Sequence, residues 1–228
     1  MLKTRAELKT EAKARLKGNW AYAVGLSALP YLTMLAIGLA CAIVCSVLAA
    51  SLFMSLTPLV ASLIFVPPLI IIYLALLVMM FTVEMGISLG FLDFFRGSKP
   101  TYTSASTYIL RKNRFWKFFW TNIIMAIFLY LWTILFIVPG IIKGYGYVMT
   151  NYILKDKLER GEEVTVTQAI TESRRLMQGH KWEYFVLQLS FLGWMILALL
   201  TFNIGFLWLV PYMQTTNSAF YQNLRDNS

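Results

Sequence analysis

The feature that most constrains this chain is where its charged residues are missing. After Lys17 the next charge is Glu84, so residues 18–83 carry none. An ion at the bilayer centre costs ~2.5–3.5 kcal/mol on insertion scales, and one helical crossing needs about 20 apolar residues. The uncharged run is therefore more than three crossings long at that rate. Residues 118–142 are uncharged again, as are 144–154 after the single Lys143, and 184–224 form a last such run. Hydrophobic residues make up 58% of the sequence and charged residues 14%, against about 25% charged in soluble domains, which excludes a disordered chain and an ordinary soluble domain. Two cysteines among 228 residues exclude a disulfide-stapled module.

The charges fall into three segments. Lys3 to Lys17 and Arg96 to Lys117 are strongly basic, whereas Lys155 to Glu183 is mixed. Lys and Arg in short loops set orientation, so all three belong on the cytoplasmic side, and both termini are expected there, in the cell membrane. Each apolar run must then leave and return. The expected fold is all-α: a polytopic membrane bundle of about six transmembrane helices arranged as three hairpins, with interfacial amphipathic helices. The expected spans are 20–48, 68–92, 116–138, 141–157, 183–200 and 204–222, with turns at Thr57-Pro58 to Pro67-Pro68, at Pro139-Gly140 and at Thr201 to Gly205. The whole chain, 1–228, reads as one integral membrane domain, with a basic N-terminal helix over 1–18 and cytoplasmic segments over 94–115 and 158–181. The fourth span is short. Residues 141–154 rise only about 21 Å, so either Lys155 and Lys157 snorkel or this arm is re-entrant. A signal peptide is not expected, because the apolar run far exceeds the usual 7–15 residues, and neither end carries a lipidation motif.

Thr4 and Glu7 have capping-box spacing and open a helix whose thin apolar face is Leu2, Leu8, Ala12 and Leu16, suited to an anionic membrane surface or serving only as a topology signal. Thr165 and Gln168 have the same spacing ahead of Ala169, Ile170, Ser173, Leu176 and Met177 on one face, with Gly179 as cap. Each apolar run begins with basic residues beside a tryptophan. The anchors are Lys13, Arg15, Lys17 and Trp20 in the first; Arg114, Trp116 and Lys117, after Arg111-Lys112-Asn113, in the second; and Arg174, Arg175, His180, Lys181 and Trp182 in the third. These are either three interface anchors or a threefold repeat of elbow helix plus hairpin.

The run Ser173-Arg174-Arg175-Leu176-Met177 to Gly179-His180-Lys181-Trp182, followed by Phe185 to Phe191, then Trp208, Pro211, Tyr212, Thr215 and Phe220-Tyr221, resembles a known group. So do Arg96-Gly97, Lys99-Pro100 and Pro139-Gly140-Ile141-Ile142-Lys143. They are similar to the uncharacterised integral membrane family of Gram-positive bacteria catalogued as domain of unknown function 975. The resemblance implies a multi-pass membrane protein and carries over no catalytic residue, cofactor or substrate.

Candidate chemistry is sparse. Gly86-Ile87-Ser88-Leu89-Gly90 spells G-x-S-x-G, but inside an apolar helix Gly86 and Gly90 read better as a close-packing face, as do Gly140 and Gly144. His180 is the only histidine, and Cys41 with Cys45 lack further ligands, so no metal or cofactor is expected. Glu84 is the one acid inside an apolar run, a candidate intramembrane polar site with Lys143 and Asn151, or a buried packing acid; Asn122 and Gln188 are further possible partners. A net charge of +9 is explained by topology without nucleic acid. The leading expectation is a non-enzymatic module binding the lipid bilayer, anionic lipids or another membrane protein, its oligomeric state left open. The alternative is a small transporter or channel with Glu84 in the pathway.

Overall fold

The computed structural model describes residues 3–111, 114–135 and 137–228, with the side chains of 137–139 excepted. Leu2, Lys112, Asn113 and the Pro139 side chain, each given a place in the sequence reading, lie outside that description. The described residues form eleven α-helices and no strand. They are α1 (Arg5–Leu16), α2 (Trp20–Ser55), α3 (Pro58–Phe95), α4 (Tyr102–Ser106), α5 (Phe115–Leu135), α6 (Ile137–Tyr147), α7 (Thr150–Glu159), α8 (Val166–Leu176), α9 (Lys181–Leu189), α10 (Leu192–Leu200) and α11 (Phe206–Asp226). Four stretches are long and apolar enough to cross a membrane: α2, α3, α5, and α9 with α10 taken together.

Local sequence explains most boundaries. Thr4 caps α1, its Oγ1 accepting from the Glu7 N–H at 3.3 Å while Glu7 Oε2 accepts from the Thr4 N–H at 2.6 Å. Gly18 (φ +77°) and Gly179 (φ +85°) hold the left-handed turns that lead from α1 into α2 and from α8 into α9, a backbone state that side chains with a Cβ disfavour. Pro58 starts α3 at a position where its missing N–H is no loss. Pro67 and Pro68, expected to bound a turn, sit inside α3, which begins ten residues before the expected 68. In an apolar setting such prolines are tolerated when local adjustments satisfy the freed carbonyls.

In the second apolar run, Pro139-Gly140, expected at the turn, lies within α6 (Ile137–Tyr147). Gly140 is needed for close approach instead: a Cβ there would lie 2.7–3.1 Å from Thr133 atoms on α5. The expected fourth span, 141–157, is two helices, α6 and α7. Lys155 and Lys157 do not reach for a membrane edge; they are buried in α7. The expected fifth span is likewise broken between α9 and α10 at Ser190-Phe191.

The short helices α1, α4 and α8 tie the bundle together. α4 packs on α2 and α3 and α8 on α5, α6 and α7, so these two sit on the helices preceding them, whereas α1 packs on the last helix, α11. Leu8, Ala12 and Leu16, expected to face a membrane surface, are buried instead. Together with Leu26, Phe91, Ile109, Phe118, Met177 and Tyr221 they form one core at the charged end of the molecule. Beyond it, α2 and α3 expose nearly every large apolar side chain from Leu29 to Met80.

Candidate headgroup site and the buried charge network

The C-terminal ends of α3, α7 and α11 meet in that core, and each contributes charge. Asp156 on α7, 5% exposed, accepts two hydrogen bonds from Arg96 at 2.7 and 2.9 Å, one from the Tyr221 hydroxyl at 2.7 Å and one from Arg225 at 2.5 Å. Burial by itself would push the Asp156 carboxyl up. The hydrogen bonds from Arg96 and Tyr221, with the charges of Arg96 and Arg225, outweigh it and hold the group below the usual carboxylate range.

One residue earlier, the fully buried Lys155 ammonium binds Asp93 of α3 and lies 2.9 Å from Glu159, with the Tyr108 ring 5.2 Å away. Burial, then the charge of Glu159, pushes the Tyr108 phenol up, so it stays protonated and donates to Glu159 at 3.1 Å. Lys157 pairs with Glu172 of α8 at 2.5 Å. Three consecutive charged residues on α7 thus bind three different elements, which a short helix buried on every side allows. The sequence places them at the junction of the expected span 141–157 and a cytoplasmic charge segment, with Lys155 and Lys157 snorkelling; the adjacent run Tyr152-Ile153-Leu154 is the signal that this helix lies inside.

Beside this network a cavity of about 650 Å³ is lined by both signs, Asp156 and Glu172 against Arg160, Arg175 and Arg225. A second recess of about 500 Å³ is lined by Lys143, Thr171, Arg174, Arg175, Gln178 and Lys181, with no acid. Among the described residues none of its four cations forms an ion pair. Its shape follows from α6 passing close to α8: the Ser173 hydroxyl donates to the Gly146 carbonyl at 2.8 Å, and a Cβ at Gly146 would lie 3.5 Å from the Lys181 side chain. Lys143 lies one turn before Gly146, its ammonium 4.5 Å from the Trp132 ring centre.

The candidate residues are therefore regrouped. Lys143, read together with Glu84 and Asn151, joins Arg174, Arg175 and Lys181. Asn151 makes a reciprocal amide pair with Asn122 at 3.0 and 3.2 Å. Glu84 is exposed on α3, within electrostatic reach of Tyr31, and among the described residues forms no ion pair or hydrogen bond with Lys143, Asn122, Asn151 or Gln188; Gln188 donates to Asn217 at 2.7 Å.

Lys13 and Arg15 lie over the rings of Tyr212 and Phe95, and Arg114 over Tyr108 at 4.3 Å, while Lys17 is exposed and Lys117 half-buried. Trp20 lines an apolar recess with Trp194 and Trp208; Trp116 and Trp182 are exposed; His180 meets Glu183 at 3.0 Å. Gly86 admits the Ala105 carbonyl of α4 and Gly90 its Cβ, which a Cβ at Gly90 would approach to 2.8 Å. Gly144 makes only an ordinary contact with Leu129. Ser88 is helical, its hydroxyl 3.1 Å from that of Tyr152, without a histidine beside it.

A family model described as "Protein of unknown function (DUF975)" matches residues 1–143 and 134–228, in two overlapping parts that cover the chain. The chain belongs to that family. No curated protein and no solved structure matches it.

Proposed function

We propose that this DUF975 protein is a non-enzymatic module of the cell membrane, with both termini in the cytoplasm, that holds the phosphate of an anionic lipid headgroup between α6, α8 and α9. The observation that carries the reading is the recess lined by Lys143, Arg174, Arg175 and Lys181 without a counter-charge. Four cations around one recess repel each other, and an anion relieves that repulsion; guanidinium groups also match phosphate with paired donors. The bilayer is the favoured source of the phosphate. Exposed Trp182 adjoins Lys181, and exposed Ile141 and Ile142 lead from Lys143 onto an apolar surface, so an acyl chain has somewhere to lie.

The test uses the purified protein in nanodiscs of phosphatidylcholine with a graded fraction of phosphatidylglycerol, with bound lipid read by native mass spectrometry. At about 1 kcal/mol per basic residue, the variant Arg174→Gln/Arg175→Gln/Lys181→Gln should lose roughly 100-fold in preference for the anionic lipid. Raising salt should weaken the parent's preference in the same direction. Equal phosphatidylglycerol retention by parent and triple variant would overturn the reading. Binding of inorganic phosphate that phosphatidylglycerol fails to displace would overturn the lipid source.

A further inference from the structure

We propose that only the α2–α3 hairpin crosses the bilayer, and that the α5–α6 and α10–α11 hairpins enter it from the cytoplasmic side as wedges occupying one leaflet. The inference rests on depth measured from the charged elements, and is independent of the headgroup reading.

In the α5–α6 hairpin, Gly140 of α6 faces Thr133 of α5, so the tip lies within about one turn of both. α8 is tied to this hairpin at Gly146, where Ser173 donates to the Gly146 carbonyl and the Arg174 and Lys181 side chains lie alongside. From Gly146 back to the tip is about ten residues, roughly 15 Å at 1.5 Å each. If the tip reached the far face of a ~30 Å hydrocarbon layer, α8 would lie at the bilayer centre. Glu172, Arg174 and Arg175 make that placement untenable, at ~2.5–3.5 kcal/mol for each ion.

The third hairpin gives the same depth. Its tip is the tight turn at Phe202 and Asn203, both with positive φ. Lys9 of α1 donates to the Ser190 carbonyl at 3.4 Å and lies 4.3 Å from the Phe191 ring centre, and Lys13 lies 5.6 Å from that of Tyr212. Phe191 is eleven residues before Phe202 and Tyr212 nine after Asn203, so these lysines stand roughly 14–17 Å from the tip.

The first hairpin differs. α4 packs at Gly86 and Gly90, and the turn at Thr57 lies about 29 residues away, roughly 43 Å along α3. Its exposed apolar belt, from Leu59 to Met80 on α3 and Leu29 to Leu56 on α2, is long enough for a full crossing with some tilt. Glu84 then falls just outside that belt, at headgroup depth, which accounts for an exposed carboxylate on the outside of a membrane helix. Helix length misleads for α5 and for α9 with α10, because their first turns belong to the charged-end core: Phe118, Thr121, Tyr184 and Leu187 are buried there.

The experiment introduces single cysteines into a Cys41→Ala/Cys45→Ala background at Thr57, Leu135 and Ile204, keeping variants that melt with the parent. An impermeant maleimide added to intact cells should label Thr57→Cys and react at least 10-fold more slowly with Leu135→Cys and Ile204→Cys. Nitroxides attached at those two positions in reconstituted vesicles should show the oxygen-rich, nickel-excluded profile of the bilayer interior. External labelling of Ile204→Cys or Leu135→Cys within threefold of Thr57→Cys would overturn the proposal. So would nitroxides reporting the headgroup region, or a Thr57→Cys that is not labelled from outside.

Discussion

Replacing Asp156 by Asn removes the charge on which Arg96, Tyr221 and Arg225 converge in the charged-end core. Asp156 is 5% exposed and accepts four hydrogen bonds from three residues on α3 and α11. Asparagine keeps the shape, loses the charge, and turns one acceptor into a donor facing a guanidinium. Removing one partner of a buried pair costs about 3–5 kcal/mol, chiefly because the other charge is left without compensation. Arg96 and Arg225 keep 26% and 40% of their side-chain surface, so water recovers part of their solvation and the lower end, about 3 kcal/mol, applies. At 2–4 °C per kcal/mol for a chain of this size, the melting temperature in mild detergent should fall by about 6–12 °C. The assay is thermal unfolding followed by circular dichroism, with Glu11→Gln as control, since the Lys3–Glu11 pair is solvent-exposed and worth under about 1 kcal/mol. A shift for Asp156→Asn no larger than the control's would refute the claim that this network holds α3, α7 and α11 together.

Other expectations follow from the same structure. Because the Asp156 carboxyl is held below its ordinary value, its contribution to stability is fully present above the unfolded value of about 3.9 and is lost as pH falls through the folded value; acid melts of the parent should show this loss and those of Asp156→Asn should not. Gly86→Ala would place a methyl group into the Ala105 backbone carbonyl and should cost about 1–3 kcal/mol in the same melt, whereas Gly38→Ala, with open space around it, should be neutral or stabilising. Glu84→Gln should leave stability and ion flux in reconstituted vesicles unchanged, since its side chain is exposed and outside the core; a flux that depends on Glu84 would revive a transport role.

Spacing alone showed that the chain is helical and built for lipid, because the cost of placing an ion in hydrocarbon is a property of each residue and needs no knowledge of the fold. Capping boxes at Thr4 and Thr165 and the glycine after α8 were legible for the same reason: they act within one turn. What spacing could not show was depth. An uncharged stretch such as 118–142 has one composition whether its first turns lie in a protein core or in lipid, and Phe118 and Thr121 lie in the core only because α8 folds onto α5. Lys155, Asp156 and Lys157 look like solvated charge until Asp93, Arg96, Glu172 and Arg225, distant in sequence, arrive to neutralise them. Lys143, expected as a polar partner of Glu84 and Asn151, becomes the fourth cation of a recess through the approach of α6 to α8. Sequence therefore determined which segments avoid water, a sum of local transfer costs. Tertiary structure decided which charges meet, because Coulomb interactions depend on distances that only the folded chain sets.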